Sequence, residues 1–108
     1  MHDGRLTDEL ARCVMGWRAL PERFLIGGRR WIPRWRFQPL TNLADAFRLL
    51  EKAATSYTLT ATPDATFTAH ICVADRTGSA SGKSPAATIT VAIAKAIGLR
   101  VDLPEEQV

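Results

Sequence analysis

The sequence predicts a small α+β domain, a layered α-β-α sandwich with an antiparallel hairpin-based sheet and about three helices. Three observations predict it. Residues 56–61 and 66–73 alternate apolar and polar side chains on either side of Pro63-Asp64, the pattern of two half-buried strands joined by a turn. Residues 43–54 carry Leu43, Phe47, Leu50 and Ala54 at helical spacing. Residues 86–97 are nearly all apolar, between the helix start Ser84-Pro85 and the helix stop Gly98. At 108 residues the chain has length for one core and not for two. One domain over 1–108 is therefore expected, with a core from about residue 6 to 100 and a frayed tail at 101–108.

In chain order, Thr7 or Asp8 is the expected cap of a first helix, whose face is Leu6, Leu10, Val14 and Trp17. Gly16 and Pro21 stop that helix near Trp17, and Trp17 reads as a lid on the core. From Ala19 to Pro39 five glycines and prolines break every periodicity, so the segment reads as a long wrapped loop with a short extended piece near Trp31. In it Trp31 and Phe37 are the expected anchors to the core, and Trp35, between Arg34 and Arg36, the ring left exposed. Thr41-Asn42 caps the second helix, with Asp45, Arg48, Glu51 and Lys52 facing water. In the hairpin, Tyr57, Leu59, Ala61, Phe67, Ala69, Ile71 and Val73 share one face, and Gly78 to Ser81 adds a short third strand. The other face is rich in threonine. That suits either solvent or a thin cover, so a three-layer and an open two-layer form both fit.

Charge is modest overall, +3, but unevenly placed. Arg18, Arg23, Arg29, Arg30, Arg34 and Arg36 are six of fourteen basic residues, against the single acid Glu22 in the same span. Arginine suits planar, bidentate contacts to anions; it is also the cation that a GC-rich genome favours. Cys13 and Cys72 are far apart with no metal-ligand spacing, which argues against a disulfide framework or a zinc site. The first residues hold no apolar signal core and no run is long enough to span a membrane, so a reducing cytoplasm is expected.

Residues 78–84, Gly-Ser-Ala-Ser-Gly-Lys-Ser, fall one residue short of phosphate-loop spacing, because three residues separate the glycines where four are needed. Ser79, Ser81, Lys83 and Ser84 then fit either an anion site before a helix N-terminus or a polar loop with a cap. His70 stands alone on the polar side of its strand, and no nucleophile–base or paired-carboxylate arrangement can be argued from spacing. A non-enzymatic protein without cofactor or metal is the expectation. The candidate ligand-binding residues are Arg29, Arg30, Arg34, Trp35, Arg36, Ser81, Lys83 and Ser84. They could hold a nucleotide or another small anion, with a base stacked on Trp35. They could also dock a protein, or, as a third reading, nucleic acid with a steep salt dependence. Arginine stems lying over the core would equally make the segment scaffold.

Several landmarks recur together: Ala11 to Trp17, Trp31 with Pro33, Phe37 to Thr41, Ala44 to Phe47 with Leu50-Glu51-Lys52, and the alanine-rich helix ending Ala96-Ile97-Gly98. In order and spacing this series resembles the phage ABA sandwich domain family, small proteins of bacteriophages and prophages, over about Leu10 to Leu99. The resemblance implies an α/β/α layered sandwich and no transferable catalytic residues. With the basic segment it points to a phage accessory protein in the host cytoplasm. Such a protein would sequester a nucleotide immune signal or inhibit a host protein, without a membrane and as a homo-oligomer.

Overall fold

The computed structural model describes residues 3–99; the expected tail at 101–108 lies outside them. α1 spans Asp3–Leu10 and continues into a π-helical turn, Ala11–Met15. Gly16 ends it in the left-handed region at φ 74°, and the Trp17 N–H closes back onto the Ala11 carbonyl at 3.0 Å. The helix begins before Thr7 and Asp8, so neither is its cap; the Asp8 carboxylate instead pairs with Arg34. Leu6, Leu10 and Trp17 are buried on the face that their spacing predicted.

Residues 18–33 form a three-stranded antiparallel meander rather than a loop: β1 (Arg18–Ala19), β2 (Arg23–Gly27) and β3 (Arg30–Pro33). Three of the residues that broke the periodicity, Gly27, Gly28 and Pro33, belong to this sheet and its hairpin turn. Gly28-Arg29 is the two-residue turn of the β2–β3 hairpin, with Gly28 at φ 57°, where a side chain is costly. Pro33 sits at the end of β3, where a missing donor is harmless. A register shift between Leu25 and Gly27 further blurs the period-two pattern. A single 3-10 turn, Arg34–Arg36, leads on to Phe37.

α2 (Leu43–Ala53) is capped by Asn42, whose side chain accepts from the Asp45 N–H at 3.0 Å. Its buried face is Ala46, Leu49 and Leu50, rotated from the expected one. Leu43 is exposed, and Asp45 is buried because its carboxylate accepts the Gln38 N–H at 2.9 Å and ties down the preceding turn. β4 (Ser56–Ala61), β5 (Phe67–Val73) and β6 (Arg76–Gly82) form the second antiparallel sheet, in the order β4-β5-β6. α3 (Pro85–Ala96) starts at the Ser84 cap and Pro85.

α3 lies across β5 and β6, and α2 packs on α3. Ala69 and Ile71 are buried beneath the helix, on the predicted face. Small residues permit the closeness: a Cβ at Gly78 would overlap the Ala92 carbonyl oxygen and lie 2.5 Å from the Ala96 nitrogen. One contiguous buried cluster runs from Leu6 to Ala94 and joins both sheets to the helices. The buried Thr90 hydroxyl donates to the Pro39 carbonyl at 2.9 Å, pinning α3 to the segment before α2. The class is α+β, antiparallel and three-helical as expected. The threonine face, in register across Thr58, His70 and Ser79, is open.

Candidate functional site

The arginines between residues 18 and 36 divide into two sets: Arg34, in the turn after β3, is held toward the core, and the others are exposed or, for Arg23, half-buried. On the β1–β2–β3 sheet Phe24 faces inward and packs edge to face with Phe37 at 5.7 Å and tilted against Trp17 at 5.9 Å. Trp17 and Phe37 meet at 5.0 Å, closing a three-ring cluster. Side chains one residue out of phase point to the opposite face. Leu25 pairs there with Arg18 on one side and Trp31 on the other, and Arg23 pairs with Pro33. Trp31 is therefore 50% exposed and does not anchor the segment to the core, as its neighbours Phe24 and Phe37 do. The Arg23 guanidinium stacks over its ring at 4.7 Å.

Arg34 belongs to the inner set. It donates to the Leu20 carbonyl at 2.6 Å, pairs with Asp8 and lies 4.8 Å over the Phe24 ring. Its side chain is 28% exposed and lines a cleft of about 270 Å³ with Thr7, Phe24, Phe37, Gln38 and Leu40. These contacts engage two of the five guanidinium donors and hold Arg34 against the core side of the segment. Trp35 is 69% exposed, as expected, with Arg36 5.8 Å over its ring. Arg29 and Arg30 are exposed at the β2–β3 hairpin and, among the described residues, have no acidic partner. Arg18 and Arg23 were legible as local charge but not as strand neighbours of Leu25 and Pro33; the Gly28-Arg29 hairpin turn was the signal that would have placed them.

Ser81, Lys83 and Ser84 are engaged elsewhere. The Ser81 hydroxyl bonds Thr68 at 3.1 Å, Lys83 donates to the Asp64 carbonyl at 3.0 Å, and Ser84 accepts from the Ala87 N–H at 3.2 Å as helix cap. Among the described residues no hydrogen bond or ion pair joins them to the arginines. The Asp64 carboxylate itself accepts from the Thr62 hydroxyl and from the Thr66 N–H. The Thr62 bond first, then those from Thr66, hold its pKa below the ordinary value of 3.8, and Lys83 adds to this. His70 is exposed on the open hydroxyl face. Among the described residues no group of three or more His, Cys, Asp or Glu could hold a metal, and no helix is long and apolar enough to cross a membrane.

Two exposed tryptophans, Trp31 and Trp35, each carry a guanidinium over the ring, and Arg29 and Arg30 are exposed at the hairpin turn at the other end of β3 from Trp35. Exposed rings and guanidinium groups are chemically suited to stacking on planar groups and to pairing with anions. No protein-family model and no curated protein matches the chain, so the ABA sandwich family remains a resemblance of landmarks. Among solved structures, the fold is similar to that of a phage protein from Bacillus cereus ATCC 14579, with a TM-score of 0.77 and 14% identity. The match covers 94% of this chain and 93% of that one. At that identity the likeness concerns the fold.

Proposed function

We propose that this protein is a phage accessory protein that works by binding a small anionic ligand, a nucleotide used as an immune signal by the host, and so withdrawing it. The fold likeness to a phage protein supports the phage origin. The observation that carries the ligand class is the exposed pairing of Trp35 with Arg36 and Trp31 with Arg23, on a segment whose Arg29 and Arg30 have no acidic partner among the described residues. A nucleotide presents a flat base and a polyanion on one scaffold, which is what a ring flanked by guanidinium groups complements. Withdrawal of a signal needs affinity alone, so the absence of acid–base machinery among these residues is no obstacle.

Calorimetric titration with cyclic and linear nucleotides tests this. Binding is expected for at least one of them. Trp35→Ala with Arg36→Ala should abolish it while barely moving the melting temperature, since each lost charge-assisted bond removes about 1.5–3 kcal/mol. Absence of heat with every nucleotide at high micromolar concentration overturns the reading.

One feature favours a second reading, a module that docks on a host protein. Trp31 and Trp35 are each exposed and neither lines the cleft that Arg34 lines, and exposed Trp and Arg are the usual anchors of protein interfaces. A stoichiometric host protein retained on the immobilised wild type, and lost with Trp35→Ala, would select it over the nucleotide.

A further inference from the structure

β4 is a sheet edge without the usual protection. No charge occurs between Lys52 and Asp64, and its pairing with β5 is regular from Ser56 to Ala61. Edge strands are commonly blunted by lysine, proline, a bulge or a covering element. The opposite edge, β6, shows these devices: Arg76 opens it, Lys83 follows it and α3 lies across it. On β4 the helix-facing Tyr57 is 47% exposed and Leu59 only half-buried.

The backbone of this edge has a definite polarity. The Thr62 N–H donates to the Thr66 carbonyl at 2.9 Å, next to the Ala61–Phe67 pair. Antiparallel ladders alternate, so Ser56, Thr58 and Thr60 aim their backbone groups at β5, whereas Tyr57, Leu59 and Ala61 aim theirs out of the sheet.

We propose that β4 pairs with β4 of a second copy of this chain, antiparallel about a twofold axis at Leu59, making one six-stranded sheet. In that register Leu59 meets its own counterpart, and each Tyr57 ring lies opposite the small Ala61 of the other copy. Thr58 lies opposite Thr60, a favourable cross-strand pair. The three outward residues of each copy supply six hydrogen bonds. The occupant is a second copy rather than a foreign strand because the sequence is complementary to its own reversal. A large residue at one end matches a small one at the other, with no charge to repel across the axis. The pairing uses no residue of the arginine–tryptophan face, so its failure and that of the ligand reading are independent.

Sedimentation equilibrium of the full chain over a concentration series tests it. The mass should approach twice that of one chain. Ala61→Pro removes an outward N–H while leaving the ladder to β5 intact, and should weaken dimerisation by about thirtyfold or more, two hydrogen bonds being lost per dimer. Trp35→Ala should leave the dimer unchanged. If Ala61→Pro loses its native circular dichroism, Ala61→Lys decides the same point by placing a charge on the edge. A monomer up to the solubility limit, or a dimer indifferent to the folded Ala61 variant, overturns the proposal. A monomer that instead captures added strand peptides would assign the edge to a foreign partner and overturn it equally.

Discussion

Arg34 and Arg36 are two residues apart and chemically identical, yet the turn between them sends one inward and one outward. Arg34 covers the Phe24 ring while its nitrogens satisfy Leu20 and Asp8. Arg36 is exposed over the exposed Trp35. Their alanine variants should therefore part company. Arg34→Ala should lower stability by about 1–3 kcal/mol, because the Leu20 carbonyl and Asp8 lose a charged donor and Phe24 loses its cover. Arg36→Ala should stay within about 0.5 kcal/mol. Urea melts of the two single variants check this. Equal midpoints would mean that Arg34 is as free as its neighbour. Asp45 shows the same selectivity: in a helix pattern it reads as a solvent-side acid, but the Gln38 N–H gives it a buried partner.

Among elements, the packing of α3 on β6 depends on the absence of a side chain. Gly78 lies under the Ala92–Ala96 turn of the helix, and the atoms that a Cβ would meet there are backbone. Backbone cannot rotate aside, so Gly78→Ala must lift the helix from the sheet. A loss of about 2 kcal/mol or more is expected from the overlap, whereas at Gly27, with open space for a Cβ and a φ of 141°, the penalty of a side chain comes through the backbone alone. Thermal unfolding of Gly78→Ala checks the loss; an unchanged midpoint would mean that α3 sits further from β6. The meander of β1 to β3 is the element least visible beforehand. Its strands are two to five residues long, one is bulged, and its turn residues resemble those of an irregular loop.

For the whole molecule, Ile71 is the test of which sheet face carries the fold. It is 1% exposed beneath α3, within the cluster that links both sheets. Ile71→Asp buries an unpaired charge at a cost of several kcal/mol, comparable with the entire stability of a domain this size. The variant should be unfolded at neutral pH by circular dichroism. Cooperative melting of a soluble Ile71→Asp protein would place the core on the other face.

Local chemistry determined the parts of this protein that need no distant partner. The caps at Asn42 and Ser84, the stop at Gly16 and the alternation of β5 each depend on neighbours within four residues, and each is where the pattern placed it. Phe37 and Trp17 were legible as core because large rings need burial wherever a fold provides it. Tertiary structure alone decided which rings and cations of the basic segment remain free. Strand pairing set Trp31 on the face opposite Phe24, and Asp8, twenty-six residues away, claimed Arg34. Periodicity reports which side chains share a face of one element; it carries no information about which face another element will cover.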